Sequence, residues 1–125
     1  MGGISLSLPT PLMNIVNGGC HSNNKLDFQE FMIVPMGFKS FKESLRAGCE
    51  VFYSLKDLLN KHSFSVSVGD EGGFAPDFKS NKECLEFIIN SIEKAGYKPG
   101  KDIFIALDVA SVSYTHLRAH ETLNH

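Results

Sequence analysis

Acidic side chains occur where the chain is otherwise apolar or rich in glycine. The stretch GDEGGFAP (69–76) places Asp70 and Glu71 between glycines, which would let a loop fold closely over a ligand. Glu30 lies within the apolar run FQEFMIV, where an unpaired carboxylate is costly, and Asp108 directly follows the apolar run IFIAL. Carboxylate oxygens are the ligands that Mg²⁺ prefers in proteins. These residues therefore suggest an acidic, magnesium-binding site of an enzyme.

Most of the candidate site residues, which also include Gln29 and His21, have a simpler interpretation as well. Asp108 could cap or turn the chain after a strand, and Glu71 could be a solvated loop residue. Gln29 could be an amide at the edge of a strand, and His21 an exposed residue of a glycine-rich loop. Glu30 is harder to explain in this way, because an apolar strand leaves its carboxylate in need of a partner, a cation or water.

The composition is that of a folded globular protein. The chain has 125 residues, of which 42% are hydrophobic and 21% charged, with a formal net charge of -2 and no basic block. Nucleic acid and anionic membranes are therefore not expected as partners. The three cysteines form no CxxC pair, which favours a reducing compartment over a disulfide or zinc framework. With neither a signal peptide at the start nor an apolar run near the ~20 residues of a membrane span, we expect a cytoplasmic protein.

Hydrophobic periodicity predicts two strands, two amphipathic helices and a third strand, in the order β-β-α-α-β. Capping boxes mark the two helix starts, SFKE at 40–43 and SNKE at 80–83. The predicted strands are residues 12–16, 28–34 and 103–107. The predicted helices are 41–61 and a second helix that starts at 81 and is stopped by Gly96. The third strand has no alternation of apolar and polar residues, which indicates a strand buried on both faces.

This order has a consequence for the acidic residues. If the first two strands pair as an antiparallel hairpin, then His21, Glu30, Glu71 and Asp108 all converge at one end of the sheet. In α/β barrels this is the end where the chemistry takes place. If the second strand instead runs parallel to the first, Glu30 falls elsewhere.

Three stretches of the sequence together resemble the enolase family (phosphopyruvate hydratase). They are LPTPLMNIVNGGCHSNNKLDFQEFMIVPMG, GDEGGFAP and IALDVAS, in order from about Leu8 to Ser111. The resemblance implies an α/β fold, a partial enolase-type TIM barrel, with residues 1–111 forming the N-terminal part of the C-terminal barrel domain. Family barrels open β-β-α-α with an antiparallel second strand. Residues 112–125 look more like translated adapter or vector sequence, and we expect a non-native tail there.

The resemblance also implies an activity, the reversible dehydration of 2-phosphoglycerate to phosphoenolpyruvate by a glycolytic, Mg²⁺-dependent lyase that is a homodimer when intact. Glu71 resembles the general acid that helps the C3 hydroxide leave, and Glu30 the second glutamate of the site. Gln29 and His21 resemble substrate-binding residues, together with Glu30. Asp108 resembles a carboxylate ligand of Mg²⁺.

Several parts of such an enzyme are expected outside this sequence. A complete barrel needs ~250 residues, and the base lysine, two metal carboxylates and the phosphate-binding residues are not found here. We expect the chain by itself to be inactive and to associate through an open sheet edge. The alternatives are a different Mg²⁺-dependent member of the enolase superfamily and a non-catalytic half-barrel binding protein.

Overall fold

The computed structural model describes residues 9–18, 26–70 and 72–109. Its five elements follow the predicted β-β-α-α-β order: β1 (Met13–Asn17), β2 (Phe28–Pro35), α1 (Phe41–Lys61), α2 (Asn81–Lys94) and β3 (Ile103–Val109). β3 is longer than predicted and includes Asp108, because its last residue, Val109, still pairs with Phe28 of β2. In the part of the chain described here, neither helix is long and apolar enough to cross a membrane.

The strands form one sheet in the order β1-β2-β3, and both neighbouring pairs are antiparallel. Ile33 of β2 lies opposite Met13 on one side and Ile105 on the other. The predicted antiparallel first hairpin is therefore confirmed. β1 and β3 run in the same direction, so the end of β1, the start of β2 and the end of β3 all lie at one end of the sheet, called the carboxylate end below.

Both helices begin at the predicted serine caps. The hydroxyl of Ser40 accepts a hydrogen bond from the backbone N–H of Glu43 at 3.1 Å, and that of Ser80 accepts one from Glu83 at 3.1 Å. In a capping box the glutamate side chain accepts a hydrogen bond from the backbone N–H of the cap serine. In α2 the Glu83 carboxylate instead accepts from the backbone N–H of Lys79, the residue before the cap, at 2.9 Å. A cap of this kind contributes about 1 kcal/mol to helix stability.

The core lies between one face of the sheet and the two helices. Its fully buried side chains include Phe31 and Ile33 of β2, Leu55 of α1 and Ile88 of α2. Phe74, from the loop between the helices, also belongs to this core and stacks on Phe52 of α1 with ring centroids 4.5 Å apart. The loop that follows α1 is thus anchored in the core by an aromatic side chain.

The expectation that β3 is buried on both faces is wrong for the described residues. Phe104 and Leu107 point to opposite faces of the sheet, and each is 39% exposed, whereas Ile103 is fully buried. No other described strand pairs with the far edge of β3. Some apolar side chains of β3 therefore remain partly uncovered by the described residues.

Candidate functional site

A single row of residues crosses the sheet at its carboxylate end. Glu30 of β2 lies directly opposite Asn17 of β1 and directly opposite Asp108 of β3. Directly opposed residues point to the same face, with Cβ atoms about 4.5–5.5 Å apart. The structure thus brings together Glu30 and Asp108, two of the residues that the sequence suggested for an acidic site.

The two carboxylates stand on the sheet face that the helices leave open. Glu30 is half-buried and Asp108 is exposed. The adjoining row on this face contains Met32 and the small residue Ala106. No ion pair between described residues neutralises either carboxylate. Like charges placed directly opposite each other are destabilising, and a cation bound between them would offset that repulsion.

A glycine-rich turn lies against the same end of the sheet. Within this segment, called the glycine turn (69–74), residues 69, 70 and 72–74 are described. The N–H of Phe74 donates to the carbonyl of Ile15 at 2.9 Å, and the N–H of Asn17 donates to the carbonyl of Phe74 at 2.7 Å. The turn therefore pairs with the edge of β1 as a short strand would.

The two glycines after position 71 have left-handed backbone conformations. Gly72 has φ 76° and Gly73 has φ 79°, values that other residues rarely adopt. A Cβ on Gly73 would also come within 3.0 Å of the backbone of Ile15. The structure thus shows that Gly73 approaches β1 closely, and the predicted folding of this loop over a ligand stays a prediction.

Two asparagine side chains hold the glycine turn against β1. The Asn17 amide donates to the carbonyl oxygens of Gly72 at 2.8 Å and Gly73 at 3.4 Å. The Asn14 amide donates to Gly72 O at 3.1 Å and to Asn17 Oδ1 at 2.6 Å. Since carbonyl oxygens only accept, these contacts fix which end of the Asn17 amide faces the turn. Asn17 is 2% exposed, so its amide depends on these protein partners.

The sequence does not mark Asn17 as a site residue, because Asn-Gly-Gly after an apolar strand is typical of a turn. In a regular strand, residues three apart point to opposite faces, so Asn14 and Asn17 would not meet. The ladder shifts register between Asn14 and Val16, which puts both asparagines on the face of Glu30. The signal was the pair of asparagines in MNIVN, but the shift that makes them neighbours is not readable from the sequence.

Gln29 lies at a second irregularity. Phe28 pairs with Val109 and Glu30 with Asp108, so Gln29 is an extra residue in β2. A bulge of this kind re-aims a side chain, which exempts Gln29 from the alternation that would set it on the face opposite Glu30. The Gln29 side chain is half-buried. Its backbone carbonyl accepts a hydrogen bond from the N–H of Gly18 at 2.9 Å.

The other two predicted site residues, His21 and Glu71, lie outside the described residues. The segments that carry them begin at this end of the sheet. Gly18, at the end of β1, and Leu26, before β2, bracket the segment of His21, and Asp70 and Gly72 bracket position 71. The roles of both side chains stay predictions.

The chemistry of the donors fits Mg²⁺, although the described residues make only part of a site. Mg²⁺ is commonly bound through one or two carboxylates together with water and substrate oxygens. Asp108, exposed beside Glu30 at the carboxylate end, can supply such an oxygen. Among the described residues, no group of three or more His, Cys, Asp or Glu side chains could hold a metal ion.

A charged cluster at the opposite end of the sheet ties α1 to the segment after α2. The Tyr97 hydroxyl donates to the Glu50 carboxylate, which also contacts Arg46 at 3.3 Å. The hydrogen bond from Tyr97 lowers the pKa of Glu50, and the bond to Glu50, with burial, raises the pKa of Tyr97 to about 12. The cluster contributes to stability and lies apart from the carboxylate row.

The Cys84 thiol lies in the core, apart from the carboxylate row as well. Burial raises the pKa of this thiol, which keeps the cysteine unreactive.

Comparison with known proteins identifies relatives for nearly the whole chain. Residues 5–122 match the family model described as "Enolase, C-terminal TIM barrel domain". The chain is 61% identical over 110 residues to a curated protein named "Enolase" from Helicobacter acinonychis (strain Sheeba). That alignment covers 88% of this chain and 26% of the relative, so the chain spans about a quarter of the relative's length. The match includes residues 112–122, and the predicted boundary at residue 111 stays a prediction.

Proposed function

The chain belongs to the enolase family, and we propose that it supplies part of the active site for the reversible dehydration of 2-phosphoglycerate to phosphoenolpyruvate. The observation that carries the proposal is the Glu30–Asp108 pair, set at the sheet end to which the glycine turn is tied. Because the chain spans 26% of its relative, the proposal concerns what this segment contributes to a complete barrel.

In this proposal the glycine turn delivers the acid of the reaction. Dehydration breaks the C3–O bond, and hydroxide is a poor leaving group unless it receives a proton as it departs. Glu71 donates that proton, so that water leaves. The left-handed glycines at 72 and 73 allow the chain to turn back on to β1 directly after position 71. The backbone that follows the acidic residue is thereby held against β1.

The neighbouring residues bind and orient the substrate. Glu30, half-buried and directly opposite Asn17, accepts hydrogen bonds from substrate hydroxyl or water and adds negative charge to the site. Gln29, at its bulge, offers an amide to the substrate, and His21 closes over it. A negative environment favours the protonated form of a neighbouring carboxyl group, which is the form a general acid needs.

Asp108 is the proposed magnesium ligand of this segment. When bound, Mg²⁺ neutralises the negative charge that builds on the substrate carboxylate as the adjacent C–H proton is removed. The Asp108 side chain is exposed on the open face of the sheet, so it can reach a cation there without displacing core residues.

The proposed setting is glycolysis in the cytoplasm, with a homodimer as the intact enzyme and a small anionic molecule as the substrate. Family membership supports the pathway and the dimer. The cysteine pattern supports a reducing compartment, and the net charge of -2 gives no reason to expect nucleic acid as a partner.

A chimera tests the proposal in a complete barrel. In this chimera, residues 9–109 of the chain replace the residues that align with them in the Helicobacter acinonychis Enolase, to which the chain is 61% identical. Formation of phosphoenolpyruvate from 2-phosphoglycerate is followed by ultraviolet absorbance at saturating MgCl₂. We expect an active chimera, and we expect Glu71→Gln to reduce kcat by roughly 10²-fold or more, as for loss of a general acid.

The matched control is Glu86→Gln, which makes the same change at an exposed position of α2 and should leave kcat unchanged. A folded chimera without activity would refute the proposal and favour the non-catalytic alternative. Activity on a different carboxylic acid, without turnover of 2-phosphoglycerate, would point instead to another reaction of the superfamily.

A further inference from the structure

Asn17 makes two different attachments to the glycine turn. Its backbone N–H binds the carbonyl of Phe74, whose own N–H binds Ile15. Its side-chain amide binds the carbonyls of Gly72 and Gly73. The backbone pair, together with the buried ring of Phe74, secures the end of the turn. The side chain acts just before this point, on the backbone carbonyls of Gly72 and Gly73.

Asn17 also occupies a specific place in the carboxylate row. Its direct partner across the ladder is Glu30, whose other direct partner is Asp108. A single buried residue thus connects the backbone after position 71 with the strand that carries Glu30. Its own orientation is set by Asn14, which donates to Asn17 Oδ1 at 2.6 Å.

We propose that Asn17 is a positioning residue, whose side-chain amide holds the backbone of Gly72 and Gly73 at the end of the sheet that carries the Glu30–Asp108 pair. The inference rests on the proposed function for its catalytic consequence, whereas the anchoring of the turn stands on the contacts above. Asn17 touches no reacting atom in this account and acts through the backbone of Gly72.

If Asn17 had a purely structural role, its replacement would have different consequences from those expected for a positioning residue. Phe74 would keep the turn attached to β1 after loss of the Asn17 amide, because its ring is buried and its backbone bonds do not involve that side chain. A structural residue would therefore alter stability and leave the catalytic rate of folded molecules unchanged. A positioning residue would alter the rate constant of the chemical step and leave substrate binding nearly unaffected.

The test compares Asn17→Asp with Asn90→Asp in the chimera. Both variants exchange an amide for a carboxylate of the same size, and Asn90 is exposed on α2. Asn17→Asp replaces the donor to the Gly72 and Gly73 carbonyls with an acceptor. We expect kcat per folded molecule to fall by roughly 10–100-fold, as for a misplaced catalytic group, with KM nearly unchanged.

Hydrogen exchange provides a readout that does not depend on activity. The N–H of Gly72 bonds to the carbonyl of Gly69 within the turn, at 3.0 Å. We expect Asn17→Asp to accelerate exchange of the Gly72 amide much more than that of the Phe74 amide, and Asn90→Asp to alter neither. If Asn17→Asp does not fold, Asn14→Ala removes a donor to the same carbonyl, and smaller changes in the same direction are expected.

Three results would overturn the inference: an unchanged kcat in folded Asn17→Asp, a loss of kcat without faster exchange at Gly72, or a change confined to KM. An inactive parent chimera would refute the proposed function instead. In that case the exchange comparison still decides whether the Asn17 side chain holds the turn.

Discussion

Glu30 and Asp108 face each other directly across the β2–β3 ladder, on the sheet face that neither helix covers. They lie 78 positions apart in the sequence (108 − 30), and the antiparallel pairing alone makes them neighbours. Two carboxylates in this relation repel each other, and a cation bound between them would offset that repulsion. This repulsion is the physical basis for the proposed dependence on magnesium.

Replacing Asp108 should change stability in opposite ways with and without the cation. Without divalent cations, the Asp108→Asn variant of the chimera should have a free energy of unfolding higher than that of the parent chimera by roughly 0.2–1 kcal/mol, because the substitution removes a like-charge pair. With MgCl₂ the parent gains stability by binding the cation, and the variant should gain less. Thermal unfolding at several MgCl₂ concentrations measures both effects. Asp57→Asn, at an exposed position of α1, is the control, and equal magnesium stabilisation in the parent and Asp108→Asn would contradict the assignment.

The two glycines of the turn should differ in their tolerance of alanine. A non-glycine residue in the left-handed region costs about 1–2 kcal/mol, which applies to both Gly72→Ala and Gly73→Ala. A Cβ at Gly72 meets no atom within 4 Å, whereas one at Gly73 meets the backbone of Ile15 at 3.0 Å. Gly73→Ala should therefore lower the thermal midpoint further and accelerate exchange of the Phe74 amide. Equal effects of the two substitutions would show that the turn is not held against β1.

The Tyr97–Glu50 bond should stabilise the fold within a defined range of pH. The Glu50 pKa lies below its ordinary 4.5, so its contribution is complete above that value and is lost as the pH falls through the lowered pKa. The Tyr97 pKa is raised from 10.0 to about 12, so its contribution is complete below 10 and is lost as the pH rises through about 12.

The measurement for this prediction is the difference in unfolding midpoint between the parent chimera and Tyr97→Phe. The difference should be constant between these limits and should shrink on both sides of them. Tyr53→Phe removes the hydroxyl of an exposed tyrosine on α1 and should have no such dependence. A Tyr97→Phe effect that does not change with pH would contradict the assigned hydrogen bond.

The 125-residue chain, expressed without the rest of a barrel, should associate. Phe104 and Leu107 are partly exposed on opposite faces of β3, whose far edge pairs with no other described strand. Such edges pair with other chains, and a lysine on the edge opposes that pairing. Light scattering should therefore detect oligomers that decrease in Leu107→Lys compared with Glu93→Lys on α2. A monomeric parent chain that unfolds cooperatively would contradict this expectation.

The sequence predicted those parts of the molecule that depend on local chemistry. Ser40 and Ser80 begin the helices because their hydroxyls bind the first amides of each helix, and apolar periodicity located the elements. The meeting of Glu30 with Asp108 followed from the order of elements once an antiparallel hairpin was assumed. That hairpin was an assumption, since two apolar strands can pair in either direction.

The parts that escaped prediction depend on register. The shift between Asn14 and Val16 brings two asparagines to one face, and the extra residue Gln29 breaks the alternation in β2. Neither irregularity has a glycine or proline that would mark it in the sequence. Because a shift of one residue reverses which face a side chain occupies, the anchoring role of Asn17 could be found only from the structure.

A crystal structure of the chimera with 2-phosphoglycerate, and with Mn²⁺ in place of Mg²⁺, would locate the cation by anomalous scattering and the substrate in the same experiment. We expect an anomalous peak in contact with the Asp108 carboxylate. We also expect the Glu71 carboxylate within hydrogen-bond distance of the substrate C3 hydroxyl, with Gly72 still bound by Asn17. A cation held away from Asp108, or substrate bound away from the glycine turn, would refute the proposed roles of Asp108 and Glu71.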